Sequence, residues 1–133
     1  IGVTGAYYPP ATNGLHPQEE TIAEVLKKKG YVSGAFGKWH VGHQHPFMPL
    51  QQGFDEYYGL PYSNDMWPVY YDGTPITEAT PLPPRKKNLP PLPLIEGNDV
   101  VEYIHNKEQQ NKLTRCIFYR PVRNLTGLMK KGE

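Results

Sequence analysis

Four apolar residues recur at helical spacing early in the chain, with charged residues around them: Ile22, Ala23, Val25 and Leu26. This pattern predicts an amphipathic helix over 17–29 whose apolar face packs against a sheet. Pro17 suits the first helical position, and Gly30 suits the residue that ends the helix. The lysines at 27–29 favour the same end, because cations stabilise the carboxyl end of a helix.

Aromatic and β-branched residues are prominent immediately after this helix and predict a short buried strand over 31–37. Helix and strand together form half of an α/β unit, so we predict the α/β fold class. If the backbone stays extended beyond the strand, Lys38 and His40 point to one side and Trp39 to the other, because side chains alternate along a strand.

Shorter elements are predicted farther along the chain. Two prolines exclude a regular helix over 43–53, which we predict to be a loop, and the aromatic residues at 54–58 predict a short strand or a turn. An Asp-Gly pair predicts a hairpin turn within 70–75, and a Gly-Asn pair predicts the turn of a hairpin over 94–103. The polar stretch at 106–115 predicts the start of a helix.

Proline is abundant, with 15 residues in the chain, and many of them lie between about 75 and 94. Because proline lacks an amide hydrogen, we predict that 80–94 is neither helix nor central sheet but an extended surface loop. The sequence Leu-Pro-Pro-Leu-Pro at 89–93 raises an alternative, a polyproline II ligand for a partner domain.

Length, charge and cysteine count exclude several classes of protein. The 133 residues suit one modest domain, and the formal net charge of +1 argues against binding nucleic acid through bulk electrostatics. No apolar run approaches the ~20 residues that span a bilayer, and the first residues do not resemble a signal peptide. A single cysteine, Cys116, excludes an internal disulfide framework.

The segment Gly-Lys-Trp-His-Val-Gly at 37–42 carries the most chemistry. Its glycines allow the backbone to approach a ligand closely, and it places an ammonium two residues before an imidazole. Two such donors at the end of a strand suit an anionic, oxygen-rich ligand such as sulfate or phosphate. Taken alone, however, a Lys-x-His pair is more often a solvated edge than an active site.

Three histidines within six residues raise the hypothesis of a zinc site: His40, His43 and His45. No cysteine or carboxylate joins them at ligand spacing, which disfavours zinc. Asp65 is not expected to bind calcium, because a hard cation needs several oxygen ligands. We therefore predict no metal ligand within this chain.

Four separate blocks occur in an order that resembles the sulfatase family, and arylsulfatases in particular. They are T-x-A-E-x-L-K-x-x-G-Y at 21–31, G-K-W-H-x-G at 37–42, G-F-D-x-Y-Y-G at 53–59 and Y-S-N-D at 62–65. The resemblance covers about residues 1–115, and several ordered blocks are far more specific than one G-K-W-H alone.

The resemblance implies an alkaline-phosphatase-like α/β fold, of which only part is present. Residues 1–115 are then a partial sulfatase catalytic domain that includes the proline-rich loop at about 75–94, and 116–133 form a divergent or non-family tail. Because the resemblance continues on both sides of the proline-rich segment, a loop is favoured over a partner ligand.

The resemblance also implies hydrolysis of sulfate esters by a formylglycine nucleophile, made from the first residue of C/S-x-P-x-R, with a divalent cation, usually Ca²⁺. Lys38 and His40 match the catalytic and sulfate-binding lysine and histidine, and Ser63 matches a serine near the substrate. A serine that only caps the turn at Asn64-Asp65 is a nearly equal alternative for Ser63.

The nucleophile motif is absent from the 133 residues, and no block resembles the family's metal-binding aspartates or Asp-Asn pair. We therefore expect an internal fragment of a sulfatase, inactive alone, with nucleophile and metal ligands outside it. Two alternatives stay open: a non-catalytic remnant that binds sulfated ligands or a partner protein, and a phosphate or phosphonate ester hydrolase of the same superfamily. The family implies a secretory, lysosomal, periplasmic or extracellular protein; the oligomeric state stays open.

Overall fold

The computed structural model describes residues 7, 9, 11–65, 70, 74–87, 89–113, 115 and 117. Within these residues one mixed sheet has the strand order β1-β2-β3-β4. Its strands are Gly34–Lys38 (β1), Glu56–Leu60 (β2), Leu92–Glu96 (β3) and Asp99–Ile104 (β4). Two α-helices are Ile22–Lys27 (α1) and Pro84–Lys87 (α2), and a further helical segment covers 107–113. The predicted α/β class is confirmed.

Strand β1 pairs in parallel with β2, whereas β2, β3 and β4 pair in antiparallel order. Over 43–53, where a loop without a regular helix is predicted, the chain forms two short 3₁₀ helices, His45–Phe47 and Pro49–Gln52, with turns and loop around them. Each 3₁₀ helix has one proline, at its second position in the first helix and at its first position in the second. There the fixed φ of proline favours a helical turn, and no internal hydrogen bond is lost.

Helix α1 begins at Ile22 rather than at residue 17, because Thr21 forms a capping box. The Thr21 hydroxyl accepts a hydrogen bond from the Glu24 amide at 3.2 Å, and the Glu24 carboxylate accepts one from the Thr21 amide at 2.7 Å. These bonds satisfy amide groups that a longer helix would have paired internally. The predicted start of the helix is therefore wrong by one turn or more.

The apolar face of α1 does not pack as predicted. Only Ala23 of this helix is buried, and Ile22 is 73% exposed. Polar contacts instead join the helix region to the chain ahead of β2: the Lys27 ammonium lies 2.8 Å from the Asp55 carboxylate, and the Thr21 hydroxyl donates to the Gln52 carbonyl at 2.7 Å. The predicted core face of α1 is thus largely solvent-exposed.

Strand β1 begins three residues later than predicted. Tyr31 and Val32 are exposed, and Ser33 forms hydrogen bonds with the chain that leads into β2. The Ser33 amide donates to the Asp55 carboxylate at 2.9 Å, and its carbonyl accepts from the Asp55 amide at 2.8 Å. These bonds fix the parallel register from which β1 and β2 continue. Residues 31–33 are therefore a connector, not a buried strand.

The core occupies both faces of the sheet, as the alternation of side chains along a strand requires. Tyr58 and Leu60 of β2 belong to one buried cluster, whereas Tyr57 belongs to the other. In β3, Leu94 lies in the first cluster and Ile95 in the second. The strand predicted as one of two alternatives at 54–58 is thus present from Glu56 onward, and it contributes to two hydrophobic clusters.

The prediction that 80–94 is neither helix nor central sheet is wrong at two places. Pro84–Lys87 forms α2, and Leu92, Pro93 and Leu94 lie in β3, which is an interior strand. Pro93 is tolerated because β3 pairs with β2 only through Ile95 and Glu96. Leu92 is completely buried, which also contradicts an exposed polyproline II ligand at 89–93.

The predicted hairpin over 94–103 is confirmed, and its turn contains Gly97 at φ 62°. The predicted helix at 106–115 is confirmed over 107–113, where the Asn106 side chain accepts a hydrogen bond from the Gln109 amide. Most of the predicted hairpin at 70–75, and nearly all of the tail at 116–133, lie outside the described residues. Within the described part of the chain, no helix has the length and apolar character needed to span a bilayer.

A close approach of two glycines joins β1 to β2. Gly37 pairs with Gly59, and a Cβ atom at Gly59 would lie 1.9 Å from the Gly37 carbonyl oxygen. Gly37 has φ +123°, which side chains other than hydrogen rarely permit. This contact lies immediately before Lys38, so the separation of β1 and β2 sets where that side chain begins.

We expect Gly59→Ala to lower the free energy of unfolding by about 3 kcal/mol, because the added methyl group must push the two strands apart. The measurement is urea unfolding of the purified chain followed by circular dichroism. Val101→Ala is the control, because Val101 is an exposed residue of β4. Equal stability of the two variants would contradict a tight Gly37–Gly59 contact.

Candidate functional site

Lys38 and His40 lie where β1 ends, and hydrogen bonds to the end of β2 and to the residue after it fix the backbone of this segment. Beyond the strand, the Trp39 amide donates to the Leu60 carbonyl at 2.9 Å, and the His40 amide donates to the Pro61 carbonyl at 3.0 Å. His40 has φ 61°, a left-handed conformation that few residues other than glycine adopt. The chain therefore turns sharply at the histidine while two hydrogen bonds fix its position.

Trp39 points away from these two residues. Its indole nitrogen donates to the Phe47 carbonyl at 2.7 Å, and its ring meets Phe54 edge-on at 5.8 Å between centroids. It packs against the buried cluster that contains Met48 and Tyr57. The predicted alternation is confirmed, although the left-handed turn at His40 replaces the extended backbone that was expected there.

An open pocket of about 410 Å³ lies at this end of the sheet. Its walls contain Lys38, His40 and Ser63, so the structure brings together the three residues singled out in the sequence. Four further residues complete the lining: Asp65, Arg85, Lys86 and Leu89. The volume falls within the range of about 300–1,000 Å³ that is usual for ligand sites.

Ser63 and Asp65 form a hydrogen-bonded pair on the loop that follows β2. The Ser63 hydroxyl donates to the carboxylate, and this bond is the main reason why the pKa of Asp65 lies below its usual value. Partial burial opposes the shift, and the positive charges of Lys86 and Arg85 add to it. Asp65 is therefore a carboxylate at neutral pH, and Ser63 combines the predicted pocket position with a bond inside its own turn.

His40 is set to remain uncharged near neutral pH. Burial lowers the pKa of its imidazole, the Lys38 ammonium lowers that pKa further, and the Asp65 carboxylate partly opposes both effects. A neutral imidazole has one nitrogen that donates and one that accepts a hydrogen bond. The positive charge of Lys38 thus keeps its neighbour available for both kinds of hydrogen bond.

Lys86 fastens the proline-rich segment to the loop after β2. Only 9% of this residue is exposed, and its ammonium donates to the backbone carbonyl of Asp65 at 3.0 Å. A buried lysine requires such a partner. Two more hydrogen bonds hold the same loop: Tyr62 donates through its hydroxyl to the Pro91 carbonyl at 3.2 Å, and Gln110 donates to the Asn64 carbonyl at 3.3 Å.

The sequence offered little to reveal Asp65, Arg85 and Lys86 as pocket residues. The sequence presents Asp65 only as a candidate metal ligand, and the surface loop predicted over 80–94 includes Arg85 and Lys86. The available signal was charge: Arg-Lys-Lys at 85–87 is a basic run inside an otherwise proline-rich and apolar stretch. Its position at the pocket depends on contacts across 21 residues of sequence, which no local pattern predicts.

Within the described residues, His43 and His45 are not grouped with other possible metal ligands. The His43 ring meets Tyr62 edge-on at 6.2 Å, burial lowers the pKa of His43, and His45 is exposed. Among the described residues, no three histidine, cysteine, aspartate or glutamate side chains are grouped so that they could hold a metal ion. Asp65 stands between a serine donor and two cations, so the described pocket residues fit an anion and do not fit Ca²⁺.

The opposing charges around His40 give a direct test of the pocket geometry. We expect Lys38→Met to raise the pKa of His40, because a nearby positive charge is removed, and Asp65→Asn to lower it, because the favourable negative charge is lost. NMR titration of the imidazole measures both changes. Lys87→Met is the matched control, since Lys87 is exposed and does not line the pocket. A His40 pKa that stays unchanged in both variants would contradict this arrangement.

Comparison with known proteins agrees with the motifs. Residues 2–113 match the family model described as Sulfatase. Arylsulfatase G of Canis lupus familiaris is 51% identical over 65 residues, which are 49% of this chain and 12% of that protein. Arylsulfatase A of Homo sapiens is 40% identical over 99 residues, which are 72% of this chain and 19% of that protein.

N-acetylgalactosamine-6-sulfatase of Homo sapiens is 49% identical over 57 residues, which are 42% of this chain and 11% of that protein. The chain thus spans less than a fifth of the length of these relatives. The solved structure titled "Crystal structure of Ps i-CgsB" aligns with 75% of this chain and 22% of its own, with a TM-score of 0.47 and 22% identity.

The family model covers far more than half of the 133 residues and includes every block that carries the resemblance, from the capping box of α1 to the loop that bears Ser63. The chain belongs to the sulfatase family.

Proposed function

We propose that this chain is part of a sulfatase that hydrolyses sulfate esters, with Lys38 and His40 as catalytic, sulfate-binding residues and Ser63 as a substrate-binding neighbour. The observation that carries the proposal is the meeting of these three side chains in one pocket at the ends of two parallel strands. Family membership supports the reaction class, and the positive charges of the pocket support an anionic substrate.

Lys38 is suited to bind the sulfate group. Its ammonium lies at the exposed end of β1, and within the described part of the chain no hydrogen bond or ion pair engages it. A compact cation with three donors neutralises negative charge on the sulfate oxygens, and it does so most effectively as that charge grows in the transition state. The backbone pairing with β2 fixes the point from which this side chain extends into the pocket.

His40 is suited to orient a hydroxyl group rather than to add charge. Because its pKa is lowered, the neutral imidazole both donates and accepts hydrogen bonds at neutral pH. We propose that it binds a hydroxyl of the nucleophile. The left-handed turn and the hydrogen bond to Pro61 fix the ring's starting point, which favours a defined orientation of that hydroxyl.

Ser63 supports this arrangement through Asp65. Because the serine hydroxyl donates its hydrogen to the carboxylate, its oxygen is left to accept a hydrogen bond from a hydroxyl or an ammonium group in the pocket. We propose that this acceptor helps to position the substrate or the groups that bind it. A serine that served only as a turn cap would not need to line the pocket.

The proposal includes a formylglycine nucleophile and a divalent cation, Ca²⁺, both supplied from outside these 133 residues. In the family, they provide the attacking oxygen and hold the sulfate oxygens. The described residues fit neither the nucleophile motif nor a cation site. The contribution of this chain is therefore confined to charge neutralisation and orientation by Lys38, His40 and Ser63.

The names of the relatives indicate aryl sulfates and a sulfated sugar as candidate substrates. We propose a sulfate ester as the substrate, no nucleic-acid partner, and a secretory, lysosomal, periplasmic or extracellular location, as is usual for the family. The location is tested by fractionating cells that express the complete protein and assaying each fraction for sulfate-ester hydrolysis.

In the complete protein that carries this chain, we expect Lys38→Met to lower kcat/KM for 4-nitrophenyl sulfate by about 10²–10³-fold, because it removes a donor that stabilises the transition state. We expect His40→Gln to lower kcat by about 10²-fold, because the nucleophile loses its orientation. Release of 4-nitrophenol measures both effects, and Lys87→Met should remain within about twofold of the unaltered protein.

Three results would contradict this proposal. Full activity of Lys38→Met would remove the lysine from the site, and faster hydrolysis of 4-nitrophenyl phosphate than of the sulfate would assign the pocket to phosphate esters. Binding of sulfated ligands by the complete protein without any turnover would indicate a non-catalytic remnant.

The purified 133-residue chain should release no measurable 4-nitrophenol from 4-nitrophenyl sulfate. Groups that stabilise a transition state act as a unit with the nucleophile, so they achieve little when it is absent. The assay is run with and without added Ca²⁺ and compared with the complete protein at equal concentration. Metal-dependent release by the isolated chain would overturn the proposal that the nucleophile lies elsewhere.

A further inference from the structure

The pocket contains more positive charge than binding of one sulfate ester requires. Lys38, Arg85 and Lys86 are positively charged, whereas Asp65 is the one carboxylate among the described lining residues. A sulfate ester carries a single negative charge, which the charge of Lys38 already matches. The two further cations come from the proline-rich segment, so their role is a separate question.

Lys86 is used within the fold. It is buried, and its ammonium donates to the backbone carbonyl of Asp65 at 3.0 Å. Leu89 packs against the hydrophobic cluster of β2 and β3 and lines the same pocket. These two residues attach the proline-rich segment to the pocket wall from the polar and the apolar side.

Arg85 also lines the pocket, but it is exposed and does not attach the proline-rich segment to the pocket wall. Within the described part of the chain, no hydrogen bond or ion pair engages its guanidinium. Its charge reaches the site, because it contributes to the lowered pKa of Asp65. Lys87 is the next residue but one, is also exposed, and does not line the pocket.

The size of the pocket agrees with a larger ligand. About 410 Å³ is a volume usual for sites that bind a whole small molecule rather than one inorganic ion. A guanidinium presents a planar pair of donors that matches the two oxygens of a carboxylate or sulfate group. The chemistry at this wall is therefore that of a second oxyanion.

We propose that Arg85 binds a second negatively charged group on the same substrate molecule, so that the enzyme prefers sulfate esters that carry a further oxyanion. This inference rests on the proposed sulfatase function and adds a determinant of specificity to it. Lys86 and Leu89 act as positioning residues that hold Arg85 at the pocket wall.

The test uses the complete protein and pairs of 4-nitrophenyl sulfates that differ in one substituent. One member of each pair carries a carboxylate on an arm of graded length, or a second sulfate, and the other carries a neutral group of similar size, such as a carboxamide. For at least one arm length we expect kcat/KM to favour the anionic member by about tenfold, mainly through KM, because the contact exists before and during the reaction.

Arg85→Gln should reduce this preference to about one, Arg85→Lys should retain part of it, and Lys87→Gln should leave it unchanged. The preference is a ratio measured on one preparation, so partial unfolding of a variant does not alter it. It should also weaken as salt is added, because the contact is electrostatic. The carboxylate and sulfate arms separate the two sources of the second oxyanion.

An equal rate for both members of every pair, or a preference that survives Arg85→Gln, would overturn the inference while leaving the sulfatase function intact. No turnover of any sulfate ester, charged or neutral, would overturn the proposed function and this inference together. Loss of the preference in Lys87→Gln would assign it to the overall charge of the segment rather than to Arg85.

Discussion

The parallel pairing of β1 with β2 is the constraint on which the site depends. It brings Gly37 against Gly59, and it continues past the strand through the amides of Trp39 and His40. Because parallel strands end at the same edge of a sheet, this pairing places the loop after β1 beside the loop after β2. Lys38 and His40 therefore meet Ser63, although more than twenty residues separate them in the chain.

The local part of this site agrees with the predicted alternation of side chains, although His40 reaches its side through a left-handed turn rather than an extended backbone. Lys38 and His40 share one side, and Trp39 packs on the other. Element boundaries were less predictable, because specific hydrogen bonds decide them. The capping box of Thr21 and Glu24 places the first residue of α1 later than predicted. The hydrogen bonds between Ser33 and Asp55 likewise precede the first residue of β1. Hydrophobic periodicity contains no information about such polar contacts.

The proline-rich segment shows why the rest of the pocket was not predicted. Proline excludes a strand that forms hydrogen bonds on both sides, but β3 pairs with β2 only at Ile95 and Glu96, so Pro93 displaces no bond to β2. The neighbouring basic residues fall within the surface loop predicted over 80–94, and no local pattern assigns them a contact. Their position follows from Lys86 and its bond to Asp65, a tertiary contact.

Proline also lowers the entropy cost of ordering the segment that forms this side of the pocket. A segment with several fixed φ angles has fewer conformations in the unfolded chain, so holding it in one place costs less entropy. Lys86 and Leu89 then attach this stiff segment at two points on either side of α2's last residue. The backbone that carries Arg85 is therefore fixed before a ligand arrives, and less of the binding free energy is lost in ordering the segment. The proline content that predicts an extended surface loop thus also makes the segment stiff enough to hold Arg85 at the pocket wall.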